Sequence, residues 1–149
     1  MNIERVALPF GLSRADLNKV EIMYGFYSAK SGAGRQELTI FGSGKVQLLL
    51  TRNSEAVPLI VEGHLNETMI VVLLAFMADQ GFMGFDALYP SHDGPHARRV
   101  LRLTLPSETK TVALDEPGFA AFEMVAGAIK YAAGVALPEA LGQRFFPNL

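Results

Sequence analysis

The chain has 149 residues, no cysteine and a formal net charge of −2, with half of its residues hydrophobic and 19% charged. That composition is globular, and a chain of this length buries ~70% of the surface its unfolded form exposes, so it is expected to fold as one domain without a covalent staple. Lack of cysteine excludes disulfides, thiolate nucleophiles and Cys-based metal centres, and thirteen scattered Lys and Arg residues form no basic footprint for nucleic acid.

Residues 1–19 read as an N-terminal extension, 20–134 as the core and 135–149 as a C-terminal tail. The first residues, Met1 to Gly11, mix Glu4 and Arg5 with apolar side chains and lack both a basic start and a clean apolar run, which points to a cytoplasmic protein. The longest apolar run, Met69–Ala78, is about half of the ~20 residues needed to cross a bilayer, so no membrane partner is expected.

In chain order, Val20, Ile22, Tyr24 and Phe26 alternate with other residues at the period of a strand with one buried face. A glycine-rich loop follows, Lys30-Ser31-Gly32-Ala33-Gly34-Arg35. Leu38 and Ile40, a Gly42-Ser43-Gly44 turn, and Val46, Leu48 and Leu50 then form a hairpin. Residues 53–65 connect onward, with Leu59-Ile60-Val61 as a candidate edge strand. Asn66 is placed to cap a helix that Gly81 closes. Because Met69–Ala78 is apolar on every side, a third layer must cover this helix: the N-terminal residues, the tail or a second copy of the protein.

Phe82 to Gly94 reads as a packed crossover through Phe85, Leu88 and Tyr89. A second hairpin places Leu101, Leu103 and Leu105 against Val112 and Leu114, with Arg99 at the rim of the leucine face. Pro117 then opens an amphipathic helix running to Gly134, with Phe122, Val125 and Ile129 inward and Glu123 and Lys130 outward. The expected fold is α+β, a mostly antiparallel sheet with two main helices on one face, in the order β-ββα-ββα with a ββα pseudo-repeat.

No residue cluster announces a chemistry. Gly42-Ser43-Gly44-Lys45 lacks both the first glycine and the helix of a phosphate loop, and reads as a turn. His92, Asp93 and His96 have the composition of a metal site, but Gly94 and Pro95 prevent a helical ligand pair, so a solvated loop is the leading reading and a metal or enzymatic site ranks third. His64 is a connector residue. Asp79, Asp86, Asp115 and Glu116 fall at element ends, where they cap or solvate. No catalytic residue, cofactor or metal is assigned.

The order and texture of the chain, with Lys30-Ser31-Gly32 and Gly34-Arg35 after the first strand, the hairpin at Phe41-Gly42-Ser43-Gly44-Lys45-Val46, the crossover from Phe82 to Tyr89 and the return strand with Lys110-Thr111-Val112, resemble the emfourin-like small bacterial domains over residues 20–134. That resemblance implies a strand-hairpin-helix-hairpin-helix layout and, for the first loop, inhibition of a thermolysin-like metallopeptidase. The loop here is shorter and has no aromatic between its glycines.

The leading expectation is therefore a non-enzymatic protein-interaction module that binds another protein or itself. The candidate contacts are the loop residues Lys30, Ser31, Gly32, Gly34 and Arg35 and the apolar pair Phe145 and Phe146. Metallopeptidase inhibition through the same loop is the alternative.

Overall fold

The computed structural model describes residues 8–28, 35–51, 59–90, 97–115 and 118–137. The strands are β1 (Glu21–Ser28), β2 (Arg35–Phe41), β3 (Lys45–Thr51), β4 (Leu59–His64), β5 (Leu88–Tyr89), β6 (Ala97–Thr104) and β7 (Thr109–Leu114), and the helices are α1 (Glu67–Asp79) and α2 (Ala120–Ala136). They form one seven-stranded sheet in the order β4-β3-β2-β1-β6-β7-β5. Every pairing is antiparallel except that of β5 with β7. The fold is thus α+β as expected, and the candidate edge strand is real and extends to His64. The short β5 lies within the stretch expected as a crossover.

Register explains the core. Ile22 sits between Ile40 and Leu103, and Tyr24 between Leu38 and Leu101, while Leu48 and Val112 extend the same row outward. The period of two puts all these side chains on one face, where α1 and α2 cover them. Leu38, Ile40, Val46, Leu48, Leu73, Leu101, Leu103, Val112, Phe122, Val125 and Ile129 are all buried. Phe76, in the apolar run of α1, is only half-buried. The Gly42-Ser43-Gly44 turn is fixed from both sides: Gly44 has φ +103°, and a Cβ on Gly42 would run into the backbone carbonyl of Leu17.

Asn66 Oδ1 accepts from the Met69 amide at 2.9 Å, and Gly81 takes φ +74° just past the end of α1, so both helix signals hold. Part of the all-round apolar surface of α1 is covered by the N-terminal residues. A 3-10 turn at Pro9–Gly11 packs on the helix, Leu8, Phe10 and Leu12 join the core, and Arg14 ion-pairs with Glu67 at its start.

Three local expectations are corrected. α2 begins at Ala120, so Phe119 is its N-cap and not a first-turn residue; Pro117 lies outside the described residues. Leu88 is exposed instead of packed, because its pairing with Ala113 turns it to the open face of the sheet. Met23 and Gly25 are buried although they lie on that same open face, since the Tyr27 ring folds back over Gly25, where an added Cβ would stand 2.7 Å from the phenol oxygen.

Candidate functional site

β1, β3, β5 and β7 run out, and β2, β4 and β6 enter, at the same end of the sheet, opposite the glycine turn. Ser28 pairs with Ala97 there, so the ends that flank residues 29–34 and 91–96 stand side by side. Lys30, Ser31, Gly32, Gly34, His92, Asp93 and His96 themselves lie outside the described residues, as do Glu116, Phe145 and Phe146. Of the interaction loop, Arg35 is described. It opens β2, is exposed, pairs with Glu37 at 2.5 Å and lies 5.5 Å from the centre of the Tyr27 ring. Burial and the Glu37 carboxylate raise the pKa of the Tyr27 phenol.

Polar residues also gather on the helix side near this end. Arg99 is on the core face of β6 because odd-numbered residues of that strand share a face. It makes a two-pronged bond to the Glu123 carboxylate, at 2.6 and 3.0 Å, with its guanidinium 5.1 Å from the centre of the Phe122 ring. Lys130, two turns on, holds its ammonium 5.5 Å from the centre of the Tyr24 ring, and among the described residues it makes no hydrogen bond or ion pair. Glu123 and Lys130 therefore flank the core instead of pointing away from it. A residue is outward on a helix only relative to what it packs on, and here Arg99 and Tyr24 of the sheet reach this side of α2.

The charges respond accordingly. The hydrogen bonds from Arg99 hold the Glu123 carboxyl below its ordinary range. Burial, helped by the Arg99 charge, lowers the Lys130 ammonium, and burial raises the Tyr24 phenol. On the opposite face Arg98 clamps Asp115 at 2.6 and 2.8 Å, so Asp115 is ion-paired where a capping or solvated carboxylate was expected. Perturbed groups gather at catalytic sites, but among the described residues these shifts trace to burial and to the Arg99–Glu123 and Arg98–Asp115 pairs. The cluster anchors α2 to the sheet.

The larger unpartnered feature is on the helix layer. Between α1 and α2 runs a groove of about 260 Å³ lined by Met69, Val72 and Phe76 from one helix and Ala128, Tyr131 and Ala132 from the other, with Leu73 at its floor. Val72 is 58% exposed and Tyr131 73%. On α2 the exposed row continues through Met124 and Val135, spaced three or four residues from Ala128 and Tyr131. Sequence reasoning flagged the excess apolar surface on α1 but missed the α2 row. Tyr131 and Met124 are separated from the inward positions by a single step along the helix, so periodicity alone reads them as polar-face substitutes.

No protein-family model matches the chain, and no curated protein matches it. No helix among the described residues is long and apolar enough to cross a membrane.

Proposed function

We propose that this protein is a non-enzymatic interaction module of the cytoplasm, with the α1–α2 groove as a working surface. The supporting observation is the uninterrupted apolar lining of that groove, at the outer surface of a helix layer whose inner side is already filled. Exposed side chains as large as Tyr131 and Val72, contiguous with Phe76 and Met69, are costly to leave in water unless a partner covers them. A Val72→Glu/Tyr131→Glu double variant tests this, because both positions are exposed and the fold should survive. Affinity capture from the native cell should enrich a partner with the wild-type chain and lose it with the variant. Equal enrichment by both, or none by either, overturns the reading.

Inhibition of a thermolysin-like metallopeptidase is the second reading. It is favoured by the position of Arg35, exposed at the end of β2 where β1 leaves the sheet and, one strand beyond, β6 enters, as a loop presented by a rigid sheet requires.

A further inference from the structure

The two edges of the sheet differ. One is β5, a two-residue strand too short to template anything. The other is β4, a full strand of six residues with no proline, lysine or bulge, and with Leu59 and Ile60 52% and 48% exposed. Natural edges are blunted by such devices; the one charge on β4, Glu62, is paired with Lys45, and the apolar half of the edge at Leu59 and Ile60 is open to another strand.

The hydrogen-bond parity shows what β4 offers. The Leu65 amide donates to the Gly44 carbonyl at 2.7 Å, and the same register pairs Gly63 with Val46, Val61 with Leu48 and Leu59 with Leu50. Antiparallel strands alternate bonded and non-bonded pairs. The odd residues of β4 are therefore spent on β3, and the amides and carbonyls of Ile60, Glu62 and His64 face outward, with no backbone partner among the described residues.

We propose that β4 pairs antiparallel with β4 of a second copy of this chain, about a two-fold axis through Val61, to make one continuous sheet. In this register Ile60 and Glu62 of the two copies exchange backbone hydrogen bonds across the edge. The exposed Leu59 of one copy then lies opposite Gly63 of the other. Gly63 has no side chain and is overlain by the end of α2, where Leu137 supplies an apolar neighbour. Shifting the register by two residues one way sets Glu62 against its own copy, where like charges are disfavoured, and shifting it the other way shortens the overlap of the two strands to Leu59, Ile60 and Val61. Each Glu62 instead keeps its 2.9 Å pairing with Lys45 and meets Ile60 of the other copy. This deepens the interaction reading and rests on it for the existence of a partner, but it uses a surface separate from the helix groove.

The chain contains no cysteine, so Val61→Cys reports the register directly. Residues opposite each other in a non-bonded pair have Cα atoms about 4.5 Å apart, within reach of a disulfide. On mild oxidation this variant should form a reducible dimer, and the wild-type mass by sedimentation, measured from ~10 μM to ~1 mM, should rise from 16.2 kDa toward twice that value. Glu62→Pro removes one outward amide, and Ile60→Lys adds an edge charge. Both should stay monomeric with an intact thermal transition, and Ile60→Lys carries the test if the proline variant does not fold. Tyr131→Glu should dimerise as the wild type does, which separates failure of the edge from failure of the groove. A wild-type monomer throughout the range, absence of the disulfide, or a dimer that persists in the edge variants overturns the proposal.

Discussion

Arg99 and Glu123 join the loop end of β6 to the first turn of α2 by a two-pronged ion pair, and the arginine, its side chain only 18% exposed, is the more deeply placed partner. The asymmetry has an energetic consequence. Removing Glu123 strands a largely desolvated guanidinium, whereas removing Arg99 leaves a carboxylate that is 46% exposed and that water can solvate.

In a double-mutant cycle with Arg99→Ala and Glu123→Ala, the coupling should be about 1 kcal/mol, held down by solvent screening at the glutamate. The pH dependence has a definite sign. Because Arg99 holds the folded-state pKa of Glu123 below its unfolded value, the stabilisation is fully present above the ordinary glutamate range and is lost as pH falls through the folded value. Urea unfolding from neutral to acid pH should show the Glu123→Gln variant losing less stability than the wild type.

Lys130 gives the opposite expectation. Its pKa is lowered in the fold by burial and by the Arg99 charge, so the protonated form costs stability at neutral pH, and that cost fades as pH rises from the lowered folded value to the ordinary unfolded lysine value of about 10.4. Lys130→Met keeps the aliphatic stem and removes the charge. The variant should have a higher Tm than the wild type at pH 7, and the gap should close above pH ~10. A lower Tm at pH 7 would show that the contact with the Tyr24 ring outweighs desolvation.

Leu73 and Phe122 test how the helices meet the sheet. Both are buried, and truncating either to Ala removes transfer energy and leaves a cavity, at a cost of ~2–5 kcal/mol. Values below about 0.5 kcal/mol at both positions, the scale of surface substitutions, would mean that the helix layer is not seated as described.

What the sequence disclosed and what it withheld follow from range. Ile22, Leu38, Leu48 and Leu101 announce themselves by alternation, and Asn66 and Gly81 by short-range chemistry at helix ends, so the core and the ends of α1 were legible. The burial of Gly25 depends on the ring of Tyr27 folding back within one strand, which leaves no periodic trace. The partners of Arg99 and Lys130 come from an element packed across the sheet, and Leu88 changes face because a parallel contact with β7 captures it. For the candidate surfaces, excess hydrophobicity in Met69–Ala78 signalled an uncovered helix, whereas Tyr131 and Leu59 become informative only once their neighbours are placed. The loop from Lys30 to Gly34 and the pair Phe145 and Phe146 lie outside the described residues, and of the candidate contacts Arg35 alone lies within them.

Arg35 carries the last prediction. Were the loop an inhibitor, an extended backbone would enter a peptidase cleft while Lys30 and Arg35 guide the encounter, and such guidance is a salt-dependent effect on association rate. In the structure Arg35 is already engaged by Glu37 and lies near the Tyr27 ring, both on its own sheet, so it reaches a partner only by giving up those contacts. Lys30→Ala/Arg35→Ala should leave the thermal transition within about 0.5 kcal/mol of wild type, since exposed ion pairs contribute little. The wild-type chain is expected not to slow a thermolysin-like peptidase even at ~100 μM, a concentration at which a Kd of ~1 mM would still give a measurable effect. Measured inhibition, weakened by this double variant and by added salt, would transfer the working surface from the helix groove to the loop end of the sheet.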